Sequence, residues 1–185
     1  DCEIDIDVYR ILRSDRKRHG GGVLCYISSN ICIDVKTPPN TDIENVIFDI
    51  LLPKTKPFTV SIIYRPPNQT NFFDYIYNDV NYKTYDKEIY ILGDMNINIL
   101  SQGKSVLEKE SNFSSDSNSI SNICKQYKEF CAFFSFNQLI KLPTRITTTT
   151  ATLIDHILTN TPEKVSQSGV IDVDMSGHQM IFCPR

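Results

Sequence analysis

Apolar and polar residues alternate in short runs along most of the chain, and the period of each run predicts its element. Residues 22–35, GVLCYISSNICIDV, form two β-rich runs broken by Ser28-Ser29-Asn30. Residues 44–52, ENVIFDILL, and 57–64, PFTVSIIY, form two more around a PKTKP turn. Four strands in succession predict an antiparallel meander. Residues 71–80, NFFDYIYNDV, predict a short helix. EIYIL at 88–92 is a near-continuous apolar run, as in a strand covered on both faces, and it stops at Gly93-Asp94. Between residues 101 and 122 the composition shifts to Ser, Asn, Lys and Glu without periodicity, which predicts a mobile loop. Ile123, Tyr127, Phe130, Cys131 and Phe134 then recur at helical spacing, giving one apolar face. Strand-like runs return at 153–158, 164–173 and 178–183. With no βαβ rhythm and no internal repeat, the pattern predicts an α+β sandwich, two sheets face to face with helices outside.

Composition narrows this to a single globular domain over residues 1–185. The chain has 185 residues, 41% of them hydrophobic, and 19 Lys+Arg against 22 Asp+Glu give a formal charge of −3. Domains run to roughly 100–200 residues, so a sizeable core fits. No stretch approaches the ~18 apolar residues that a membrane-spanning helix needs. The first residues, DCEIDIDVYR, lack the basic and apolar regions of a secretory signal and lack an initiator Met, so a fragment of a longer protein is expected. The six cysteines form no CxxC pair and mostly sit in apolar runs, which predicts free thiols in a reducing compartment.

Five features can carry chemistry, and each has a plainer reading beside it. Asp94 and Asn96, two residues apart after a buried strand, can point into one crevice, or can simply form a turn. In Leu153-Ile154-Asp155-His156-Ile157, alternation puts Asp155 on the face of Leu153 and Ile157, where a carboxylate needs a partner unless the strand is an edge. His156 falls on the opposite face and reads as structural or surface. His178, in a loop before the last strand, is a general acid/base or oxyanion donor, or an exposed histidine. Tyr64-Arg65-Pro66-Pro67 holds Tyr64 at the sheet rim, within a rigid turn. The cluster Arg10, Arg13, Arg16, Lys17, Arg18 and His19 can meet phosphates or be a solvated loop, and the glycines after it are not a P-loop, because no GKS or GKT follows.

In order along the chain, RHGGGVLCYI, SIIYRPP, YILGDMNINI, TRITTTTATLIDHILTN and SGHQMIFC resemble landmarks of the endonuclease/exonuclease/phosphatase superfamily. They are most similar to those of the apurinic-type endonuclease domain of non-LTR (LINE-type) retrotransposons, usually seen as HGGGV, YRPP, GDFN, a T-x-IDHI segment and SDH. The match in order and spacing runs from about residue 9 to residue 183. It implies an α/β (α+β) four-layered sandwich of two mainly antiparallel β-sheets flanked by helices, the DNase I-like fold. It also implies phosphodiester hydrolysis with Mg²⁺ or Mn²⁺, DNA as partner, and a reverse transcriptase further along the parent polyprotein. A nuclear or cytoplasmic setting and no membrane partner follow from the same resemblance. By position, Asp94 orients or deprotonates the attacking water, Asn96 binds phosphate, and Tyr64 lies near the scissile phosphate. Asp155 fixes the tautomer of His178, which hydrogen-bonds a phosphoryl oxygen. Thr152, Arg145, Arg16, Lys17 and Arg18 are the phosphate- and DNA-contacting candidates.

Two departures from the family pattern bear on activity. The family's domain opens with a strand bearing an Asn and then a metal-binding Glu, and neither has a counterpart here, so the resemblance implies an N-terminally truncated domain. Gly177 stands where the family has the Asp of SDH. A poorly bound metal and weak or lost nicking are therefore expected. The alternatives are a non-catalytic nucleic-acid-binding remnant and a phosphodiesterase or phosphatase of the same superfamily.

Overall fold

Two amphipathic helices and a set of β-rich runs compete for the same apolar surface, and the computed structural model shows how they divide it. It describes residues 4–16, 21–37, 43–81, 87–100, 115–174 and 176–185. The central element is a six-stranded sheet in the order β3-β4-β5-β6-β10-β7. Its strands are β3 (Cys32–Lys36), β4 (Glu44–Leu51), β5 (Phe58–Tyr64), β6 (Ile89–Asp94), β10 (Asp155–Thr159) and β7 (Asn137–Gln138). Strands β3, β4 and β5 form an antiparallel meander. Helix α1 (Phe72–Asn81) then carries the chain over the sheet, so that β6 runs parallel to β5. This is a βαβ unit, which the alternation of runs did not predict. Its cause is the apolar stripe Phe72, Phe73, Ile76 and Val80, which has to cover the sheet and so demands a crossover.

The second correction concerns β2 (Gly22–Ser28). It does not join the meander but pairs with β1 (Tyr9–Asp15) in a separate antiparallel hairpin. Val23 and Ile27 of that hairpin pack on Val46 and Phe48 of β4. A second hairpin, β11 (Gly169–Ile171) with β12 (Met180–Phe182), lays Val170 and Ile181 near Leu153 and Ile157 on the same side of the sheet. Only Gly169–Ile171 of the predicted 164–173 strand is β, because Pro162–Lys164 forms a 3-10 turn. Three layers are thus present among the described residues: helices, six-stranded sheet and paired hairpins.

Helix α2 (Ser115–Phe133) seals the other face beside α1, burying Cys124, Tyr127 and Phe130. It starts earlier than the apolar spacing predicts, and the expected loop over 101–122 gives way to helix at Ser115. Once residues 123–133 are fixed by packing, each further helical residue adds a hydrogen bond without a new nucleation cost. Residues 101–114 lie outside the described residues. The described cysteines, Cys25, Cys32, Cys124, Cys131 and Cys183, form no disulfide with one another, and burial raises the thiol pKa of Cys25, Cys183 and Cys131, the last to about 11, while Cys2 lies outside the described residues. No helix among the described residues is long and apolar enough to cross a membrane.

Candidate active site

Register places the polar candidates in one row across the sheet. Glu44 of β4 pairs with Tyr64 of β5, and Asp94 of β6 pairs with Asp155 of β10. Ile62 pairs with Leu92, so continuing that register by two residues sets Tyr64 beside Asp94. Paired residues share a face, and this face is the one the hairpins cover. Asp155 thus shares its face with Ile157, and His156, paired with Gly93, points to the helices.

Each member of the row is fixed by backbone groups at the strand ends. The Asp94 carbonyl accepts from Arg65 N at 2.9 Å, and Asp94 Oδ1 accepts from Asn96 N at 2.9 Å. Asn96 has a φ of 49° and donates its Nδ2 to the Arg65 carbonyl at 2.8 Å. The Arg65 side chain returns the contact. Its Nη1 donates to the Met95 and Asn96 carbonyls, and its Nε and Nη2 donate to those of Gln69 and Pro67. Arg65 is 3% exposed, and burial lowers its pKa, though a guanidinium stays cationic. On β10, the buried Thr144 hydroxyl accepts from Ile154 N at 3.1 Å and Asp155 N at 3.0 Å. Gln179 N donates to the Thr144 carbonyl at 2.7 Å, which brings the residue next to His178 onto the same anchor. Strand β8 (Arg145–Ile146) completes this: Arg145 bridges to His178 and pairs with Thr152 of β9 (Ala151–Thr152).

The structure brings Asp94, Asp155 and His178 together, with one potential ligand atom of each within 4.8 Å of the others. His178 Nδ1 faces both Asp155 oxygens at 3.2 and 3.1 Å, so the carboxylate accepts its proton and the other ring nitrogen is left for a ligand. Burial raises the pKa of Asp94, and the neighbouring Asp155 charge adds to it, against the Asn96 N–H, His178 and Arg145. Tyr64 lies at the rim with the Arg16 guanidinium 5.2 Å from its ring centre. Arg16 is ion-paired to Glu44, so this cation is engaged on the sheet end rather than extended into solvent. Lys17 and Arg18 lie outside the described residues. Gly177, beside the dyad, has room for a side chain, since a Cβ there meets only the Ile146 carbonyl at 3.9 Å.

Sequence reasoning gave no role to Arg65 or Thr144. Both act on backbone groups that side-chain patterns do not reveal, and Thr144 is hidden in a Thr-rich stretch.

Two carboxylates and an imidazole form a donor set that could hold a divalent ion. The Asp94 and Asp155 carboxylates repel one another, which favours positive charge near Asp94. Asp155 is already spent on His178, so Asp94 and the Asn96 carboxamide are the groups with capacity to spare. An aspartate, an Asp–His pair and a carboxamide in one half-exposed crevice can take a proton from water and hydrogen-bond an anionic oxygen.

No protein-family model matches the sequence, and no curated protein matches it. Solved structures do match. The endonuclease domain of TRAS1, a telomere-specific non-LTR retrotransposon, superposes with a TM-score of 0.66 at 15% identity, over 97% of this chain and 81% of that one. The mannosyl-6-phosphatase Bt3783 of Bacteroides thetaiotaomicron VPI-5482 matches with a TM-score of 0.61 at 10% identity, over 97% and 77% of the two chains. The catalytic domain of Xenopus laevis APE2 matches with a TM-score of 0.56 at 15% identity, over 97% and 77%. With its six-stranded sheet, its helices and its paired hairpins, the chain has the fold of the endonuclease/exonuclease/phosphatase family.

Proposed function

We propose that the chain is a divalent-metal-dependent phosphodiesterase acting on DNA, of the non-LTR retrotransposon endonuclease type, with a weak intrinsic rate. The observation that carries this reading is the convergence of Asp94, Asp155 and His178 at one end of the sheet, with Asn96 beside them. Asp94 orients the attacking water and takes its proton. Asn96 holds a phosphate oxygen, and Tyr64 borders the reacting group. His178, fixed through Nδ1 by Asp155, presents its other ring nitrogen to a phosphoryl oxygen as negative charge builds there. Thr152 and Arg145 flank His178 and contact adjoining phosphates, and Arg145 is exposed for that purpose. Arg16, held by Glu44, positions Tyr64, and Lys17 and Arg18 add phosphate contacts. Asp94 and Asn96 would hold Mg²⁺ or Mn²⁺, which when bound supplies positive charge to the phosphate. The weak rate follows from that short ligand set, with Asp155 committed to His178 and glycine at 177.

A supercoiled-plasmid nicking assay with Mg²⁺ or Mn²⁺ tests the reading. Slow nicking that both Asp94→Ala and His178→Ala remove is the expected result. Nicking that survives both substitutions, or none at all from folded protein, would sink it. The commitment of Asp155 to His178 also favours a second reading, a domain that binds nucleic acid without cutting it. In that case affinity falls steeply with salt while nicking stays at background. A reverse transcriptase following in the same polyprotein belongs to the first reading.

A further inference from the structure

Next to the site lies a cavity of about 260 Å³, between the loop after β5, the segment after β6 and helix α2. Among the described residues, five carboxamides line it: Asn68, Asn96, Asn98, Asn122 and Gln126. Asn96 belongs both to this cavity and to the candidate active site. Two of the five are partly spent, since Asn96 Nδ2 donates to the Arg65 carbonyl and Asn98 Oδ1 accepts from the N–H groups of Leu100 and Leu153. The side chains of Asn68, Asn122 and Gln126 have no hydrogen-bond partner among the described residues. Pro67 contributes apolar wall from the loop and Ile123 from the helix. Arg65 also lines the cavity, with every N–H on a carbonyl and no carboxylate among its hydrogen-bond partners.

This combination selects one ligand class. Carboxamides donate and accept at once, which matches the mixed edge of a nucleobase. Proline and isoleucine suit the flat faces of a base, and the buried Arg65 charge favours the phosphodiester attached to it. A phosphate alone is served less well, because the N–H groups of Arg65 are already occupied. We propose that the cavity holds an unpaired base of the strand whose neighbouring phosphate lies at Asp94 and His178, with Asn96 touching both units. The inference rests on the phosphodiesterase reading and specifies how the strand is gripped. It also implies a preference for single-stranded or distorted substrate, since a paired base has to leave its stack to enter.

The test uses fluorescence anisotropy, without divalent ions, on a labelled single-stranded 12-mer and on the same 12-mer with abasic sugars at its central positions. The intact oligonucleotide should bind about ten-fold tighter, the order expected of one well-made base contact. Asn122→Ala combined with Gln126→Ala should bring that ratio close to one while the abasic affinity stays unchanged. Asn68→Ala, on the facing loop, offers the same comparison independently of the helix. A ratio near one in the unaltered protein, or a ratio that survives these substitutions, overturns the proposal and leaves the nicking result to decide the parent reading. Absence of binding to either oligonucleotide overturns both.

Discussion

His156 and His178 carry the same imidazole to opposite fates. His156 is fully buried on the helix side of β10, where the Tyr127 hydroxyl donates to Nδ1 at 2.8 Å and Nε2–H donates to the Ile97 carbonyl at 3.0 Å. Burial pushes its pKa down to about 4, against the opposing pull of the Ile97 carbonyl and Asp155. The side chain of His178 is 38% exposed, with one ring nitrogen on Asp155 and the other uncommitted. Asp155 and His156 are neighbours on one strand, yet the first faces the hairpins and the second the helices. A histidine closed at both nitrogens holds structure together, and one open at a nitrogen is available for chemistry.

The largest expected effect strikes both sides at once. Gly93 pairs with His156 and precedes Asp94; its φ is 141°, and a Cβ there would lie 1.8 Å from the Ile63 carbonyl. Gly93→Ala should therefore force β5 and β6 apart, costing more than about 3 kcal/mol, read as a collapse of the urea midpoint together with loss of nicking. Next comes the contrast itself. His156→Ala should cost about 3 kcal/mol, because it opens a cavity and strands the Tyr127 hydroxyl and Ile97 carbonyl. His178→Ala should cost less than about 1 kcal/mol while bringing nicking to background. Equal destabilisation by the two would erase the distinction between them.

Acid should bring out the same difference. The unfolded chain protonates His156 near its ordinary value of 6.5, and the folded chain resists until about 4. The stability this provides is fully present above pH 6.5 and is lost as pH falls from there to about 4, roughly 3 kcal/mol in all. Urea titrations at stepped pH should show that slope in the parent protein and a flatter one in His156→Gln. Smallest is Asp94→Asn. Because burial and Asp155 make the Asp94 charge unfavourable in the folded state, its removal should raise the unfolding free energy by less than about 1 kcal/mol, read as a higher urea midpoint, while nicking falls. A lowered midpoint would show Asp94 to be structural, like His156.

Much of this was legible in the residues. EIYIL followed by Gly-Asp predicted a buried strand, with Asp94 and Asn96 after it open to a crevice or a plain turn, and period-two alternation put Asp155 and His156 on opposite faces. Tyr127 was legible as a core position, and the need of a buried phenol for a partner was a signal that the apolar stripe concealed. Strand β1 was not legible. Its sequence, YRILRSD, has little alternation because the strand is largely exposed and is held by its ladder to β2. The parallel pairing of β5 with β6 was missed for a related reason: run length gives a strand, but only the stripe on α1 dictates that the chain must cross the sheet. Arg65 reads only as part of a rigid turn until its carbonyl partners, residues 67, 69, 95 and 96, are seen around it.

That shell of carbonyls also sets an order of assembly. Its acceptors come from the two ends of a crossover, with Arg65 and Met95 30 positions apart. Strands β3, β4 and β5 can meet by folding back on their neighbours, whereas the shell closes only after α1 has brought β6 alongside β5. Distant partners find each other later than adjacent ones. The Arg65 shell is therefore expected to close after the β3-β4-β5 meander, and a chain halted at the meander has sheet without the backbone anchor that holds Asp94 and Asn96.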